Sequence, residues 1–174
     1  MVIKSRVGRL FSFPNPVNET SARLVATGVV AMAAVYLATG WGVVLAAMTY
    51  GFWARVLTGP TLSPLGRLVT GIITPRLPIR HRFVNGPPKR FAQGIGAAFT
   101  TAASIAHVSG STTSAAVIIV ALTAAASLEA FAGYCLGCTI YSRLIRLGLR
   151  PADDCPDCAD IGGHLEHLTA SGAR

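Results

Sequence analysis

The stretch LVATGVVAMAAVYLATGWGVVLAAMTYGFWARVL, Leu24 to Leu57, carries one charged residue, Arg55, near its end. One membrane crossing needs about 20 apolar residues, so this run is too long for a single span. Thr39-Gly40 divides it into a helical hairpin, with Trp41 where an interfacial aromatic belongs. Working outward, a third apolar run covers Phe91 to about Val108. His107, Gly110 and the polar string Ser111-Thr112-Thr113-Ser114 form a turn, and a fourth run extends from Ala115 to about Tyr141. The expected fold is all-α and polytopic, with spans at about 22–39, 41–57, 91–108 and 115–141.

Composition agrees. Hydrophobic residues make up 52% of the 174 and charged residues 13%, with mean hydropathy +0.54, whereas a soluble domain is about one-quarter charged. The net charge of +8 raises the question of nucleic acid. The basic residues flank apolar runs instead of forming one stripe, so no nucleic-acid partner is expected. Lys4, Arg6 and Arg9 precede the first run, Arg55 to Arg90 fall between the second and third, and Arg143, Arg146 and Arg150 follow the last. The turns near Gly40 and Gly110 lack Lys and Arg. By the positive-inside rule both termini and the central loop are cytoplasmic. The N-terminus has no apolar core before Pro14, so no cleavable signal peptide is expected.

Three parts follow: a cytosolic segment 1–18, a transmembrane unit 19–148 and a cytosolic tail 149–174. Asn15-Pro16 reads as a turn and Asn18 as a helix N-cap, with Glu19 and Arg23 at a favourable i, i+4 spacing. In the central loop, Ser63-Pro64 starts a short amphipathic helix over about 64–74, with Leu65, Leu68, Val69, Ile72 and Ile73 on one face until Pro75. It lies on the membrane surface or beneath the bundle. Gly94, Ala98 and Ala102 at four-residue spacing suit close helix approach, within the bundle or in a homo-oligomer.

Chemistry concentrates at the end of the fourth run. Cys135 and Cys138 form a CxxC, and Cys155 and Cys158 form a second after sixteen intervening residues. Three readings stand. As a thiol pair, Cys135 and Cys138 exchange electrons or relay sulfur. With Cys155 and Cys158 they match the spacing of a four-thiolate zinc site, with His164 and His167 as spare ligands. As small apolar residues they simply pack. Cytoplasmic thiols are kept reduced, which disfavours a static structural disulfide. The fourth helix is expected to run on to about Tyr141, which puts the thiols at a helix C-terminus, whose carbonyls disfavour a thiolate; Arg143 and Arg146 offset that in part.

Glu129 is the other candidate. An intramembrane carboxylate costs about 2.5 kcal/mol or more at a helix centre. It carries protons, binds an ion or substrate inside a small oligomeric transporter, or orders the bundle by pairing with Arg, Tyr or backbone. In one continuous helix Glu129 and Cys138 fall on opposite faces, and Cys135 a third of a turn from Glu129. A carboxylate–thiol pair is therefore not expected. His107, His81, Tyr134 and Tyr141 read as interfacial or anchoring residues.

Three segments resemble one family of small bacterial membrane proteins, domain of unknown function 4395. They are GPTLSPLGR (Gly59–Arg67), GPPKRFAQGIG (Gly86–Gly96) and LEAFAGYCLGC (Leu128–Cys138) with Tyr141; with the NP-x-N of Asn15–Asn18 they cover about Asn15 to Leu147. The resemblance implies a four-span protein of the bacterial cytoplasmic membrane whose CxGC ends the last helix. It also implies genes near those of thioredoxin-like proteins and sulfurtransferases, hence such a cytosolic partner. The tail with Cys155 and Cys158 lies beyond it. The expected function is an accessory membrane protein of thiol redox or sulfur handling. The alternatives are a zinc-stabilised membrane subunit and the transporter built around Glu129.

Overall fold

The computed structural model describes residues 13–78 and 82–149. The chain is mostly helical. A short strand β1 (Val17–Asn18) leads into α1 (Glu19–Thr39) and α2 (Gly42–Thr58). Helix α3 (Pro64–Leu68) continues through a π turn (Val69–Ile73) and a 3-10 turn (Thr74–Arg76). Strand β2 (Phe83–Val84) precedes α4 (Gly86–Val108), α5 (Thr112–Ala132) and α6 (Leu136–Arg146).

Local chemistry sets these boundaries. The Asn18 side chain accepts from Thr20 N at 2.9 Å and Ser21 N at 3.4 Å, satisfying donors at the start of α1. The Ser63 side chain caps α3 through Gly66 N at 3.2 Å, ahead of Pro64. Pro87 and Pro88 lock φ in the first turn of α4, which therefore begins at Gly86, five residues before the apolar run. Lys89 and Arg90 thus belong to a helix, although the sequence reading leaves them in a loop.

Helix α1 packs on α5, α5 on α4, and α4 on α2, which returns to α1. Val29 and Ala33 of α1, Leu45 and Phe52 of α2, Ala97 of α4 and Ile119 of α5 meet in the core. The closest approach in this bundle is not along the Gly94, Ala98 and Ala102 stripe, of which Ala98 and Ala102 are exposed. The inward face of α4 carries Gly96, Thr100 and Ala103 instead, and a Cβ on Gly96 would stand 2.2 Å from Phe52 Cε1.

Helices α1 and α5 are long and apolar enough to cross a membrane, and α2 is a shorter apolar helix. The bundle turns large apolar side chains outward on each, among them Val35, Val43, Trp53, Val117 and Val120.

At the other end of the bundle, β1 pairs antiparallel with β2, Val17 opposite Val84 and Asn18 opposite Phe83. Gly86 N donates to Asn15 Oδ1 at 3.0 Å, and Glu19 N to Arg82 O at 2.8 Å. The starts of α1 and α4 are thereby tied together. The helical segment from Pro64 to Arg76 tucks against α1, with Ser21 Oγ and Thr74 Oγ1 2.9 Å apart. Val69 is buried while Leu68 and Ile72 point outward, so the expected apolar face is split between bundle and surroundings. Pro75 sits inside the closing 3-10 turn instead of ending the helix before it.

Candidate functional site

The fourth apolar run is two helices, not one. Helix α5 stops at Ala132 because Gly133 adopts the left-handed conformation, φ 68°, which glycine takes without steric cost. Gly133 N then bonds Glu129 O at 3.2 Å, the αL type of helix ending, and Tyr134 N bonds Leu128 O at 3.1 Å, which satisfies two of the last carbonyls. Arg23 of α1 reinforces the corner: its Nε donates to Ala130 O at 3.2 Å and its Nη2 to Phe131 O at 3.0 Å. The expected Glu19–Arg23 pairing gives way to this cap, and Glu19 Oε2 stands 3.8 Å from Arg82 Nε.

After the corner, Cys135 is extended and caps α6. Its Sγ accepts from Cys138 N at 3.3 Å, the bond a serine or aspartate makes at this position. Cys135 and Cys138 are joined as a disulfide, with Cα atoms 5.2 Å apart. The expected helix C-terminus is therefore overturned. The pair stands at a helix N-terminus, where backbone N–H groups favour the thiolate. Helix α6 can lie close to α4 only because Gly137 lacks a Cβ, which would fall 2.6 Å from Ala92 Cβ. Tyr141 and Ile145, buried beside Phe91, hold the same face.

The break also changes what Cys135 meets. Folding α6 back brings Cys135 and Glu129 to the walls of one cavity of about 100 Å³, which Gln93, Phe52 and Leu122 also line. The continuous helix assumed in that expectation is absent, but Glu129 bonds Lys89 and not a thiol. Glu129 is not a free carboxylate: its Oε1 lies 2.5 Å from Lys89 Nζ, both side chains largely buried. Sequence reasoning missed Lys89 as this partner. The available signal was Gly86-Pro-Pro, which starts a helix and puts Lys89 in its first turn.

In the sequence Arg55 shows only as a charge flanking an apolar run. It is buried, with Nε donating to Gln93 Oε1 at 2.8 Å and Nη1 to Ser63 Oγ at 3.1 Å, and it lies 4.5 Å over the Phe52 ring. His107 pairs with Tyr36, Nδ1 to hydroxyl at 3.2 Å, away from the cysteines.

The sequence profile described as domain of unknown function (DUF4395) matches residues 17–146. The chain belongs to the DUF4395 family. No curated protein and no solved structure matches it. The part matching DUF4395 contains Cys135, Cys138, Glu129, Lys89 and Arg55. Cys155, Cys158, His164 and His167 lie beyond the match and outside the described residues. Among the described residues no group of three or more His, Cys, Asp or Glu gathers as a metal site. The two sulfurs of the first pair, bonded to each other, would have to be reduced before ligating zinc.

Proposed function

We propose that this DUF4395 protein is a four-span protein of the bacterial cytoplasmic membrane, both termini inside, that exchanges electrons through Cys135 and Cys138 with a cytosolic thioredoxin-like or sulfurtransferase partner. The observation that carries this reading is the Cys135–Cys138 disulfide at the start of α6, with Cys135 Sγ already accepting a backbone N–H. The length and apolarity of α1 and α5, the outward apolar side chains and the one-sided placement of Lys and Arg support the topology.

The exchange follows from which sulfur leaves better. A partner thiolate attacks Cys138 Sγ, the S–S bond breaks, and its electron pair passes to Cys135 Sγ, held by Cys138 N–H. The second partner thiol gives up its proton to solvent and attacks the mixed disulfide. Cys138 is released as a thiolate, both thiolates take up protons from solvent to give the dithiol, and the partner leaves as a disulfide. Two electrons pass, and the reverse sequence reoxidises the pair. The Lys89–Glu129 ion pair positions α4 against α5 beneath this corner.

The test uses a full-length C155S/C158S variant in lipid vesicles, mixed with a reduced thioredoxin-type protein. Maleimide labelling should show two new thiols per chain, lost in the C135S and C138S derivatives. A bond that survives both protein and small dithiols sinks the exchange reading. Retention of an extra sulfur on Cys135 after thiosulfate or a persulfide donor, seen by mass, directs it toward sulfur relay.

A further inference from the structure

A second cavity, about 450 Å³, lies between α1, the Pro64–Arg76 segment and the start of α4. Two cations wall it, Arg55 and Lys89, exposed by only 6% and 8%. Among the described residues its lining contains no Asp or Glu; Asn18, Thr70 and Gln93 supply further polar groups. Lys89 shares its charge with Glu129, which faces the other cavity. Gln93 lines both spaces and forms part of the wall between them.

Arg55 is the anomaly. Its protein partners, Gln93, Ser63 and the Phe52 ring, are all neutral. Among the described residues no carboxylate lies within ion-pairing distance of it. Buried charges are ordinarily paired, because an isolated ion loses its hydration without compensation. A guanidinium held by two neutral acceptors, bordering a cavity whose described lining has no carboxylate, has the fork geometry suited to an oxyanion.

We propose that this cavity binds a tetrahedral oxyanion of the phosphate or sulfate type, with Arg55 as its principal counter-ion and Lys89 as the second. The anion supplies the counter-charge that no described residue provides at Arg55. It comes either as a free oxyanion, including thiosulfate, or as the phosphate of an anionic phospholipid. The inference is independent of the disulfide exchange proposed above, since it rests on no cysteine.

The test is thermal unfolding of the purified full chain. In detergent, sulfate, thiosulfate and phosphate are each compared with chloride at equal ionic strength. In nanodiscs, phosphatidylcholine alone is compared with phosphatidylcholine plus phosphatidylglycerol. Stabilisation by an oxyanion over chloride assigns a free ligand; stabilisation by phosphatidylglycerol only assigns a lipid headgroup. R55Q should lower the apparent affinity about tenfold or more, the loss of one charge-assisted contact. R90Q should leave it unchanged, since Arg90 is exposed, does not line the described cavity and bonds Val56 O. No preference over chloride and none for phosphatidylglycerol overturns the proposal, a result read on the wild-type chain even if R55Q does not fold. An undiminished response in folded R55Q overturns it as well.

Discussion

Lys89 Nζ of α4 lies 2.5 Å from Glu129 Oε1 of α5, an ion pair enclosed between two cavities of the bundle. Breaking one side leaves a buried charge without a partner, which costs more than the intact pair contributes. K89M or E129L should each lower unfolding stability by about 3–5 kcal/mol, whereas the double variant recovers most of it. Equilibrium unfolding in mixed micelles measures this; additive losses would show that the pair is not coupled.

Two glycines of α4, two positions apart, should respond oppositely to alanine. A Cβ on Gly96 meets the Phe52 ring, whereas a Cβ on Gly94 has nothing within 4 Å. G96A is expected to cost about 1–3 kcal/mol through overpacking. G94A should be neutral or stabilising by about 0.5–1 kcal/mol, as for glycine in a helix interior. Thermal unfolding of the two variants side by side separates them.

Arg23 closes the end of α5 through Ala130 O and Phe131 O. R23A should cost about 1.5–3 kcal/mol, the range for hydrogen bonds to a charged group. The loosening should be local. Hydrogen exchange at the amides of Gly133 and Tyr134 should accelerate well before the core of α1, and equal acceleration throughout the chain would contradict the capping role.

The proposed topology has a labelling signature. Cysteines introduced at Trp41 and Ser111, in a background lacking the native four, should react with a membrane-impermeant maleimide added outside intact cells. One introduced at Arg143 should react only after permeabilisation. Labelling of all three from outside would reject the four-span arrangement.

Much of the fold is legible in the sequence, because apolar runs and caps are local signals. Asn18, Ser63 and Gly40 mark helix ends by their own chemistry, and the structure uses each of them there. The site is less legible for two reasons. Gly133 lies within an apolar run and so looks like helix interior, although glycine is also the commonest C-cap residue. Which of the two it is decides the electrostatics of the cysteines. The partnerships of Glu129 with Lys89 and of Arg55 with Gln93 span forty and thirty-eight residues. They depend on how α4 is rotated against α2 and α5, which no local pattern encodes.

The most direct test of the central claim is a redox titration of Cys135 and Cys138 in the membrane, in the C155S/C158S background. Vesicles are equilibrated with defined dithiol–disulfide mixtures, quenched with maleimide and separated by mass. The account predicts a reversible two-electron transition, with Cys135 alkylated faster than Cys138 near neutral pH once reduced. A pair locked in one state across the whole range, or a Cys138 that outpaces Cys135, would contradict it.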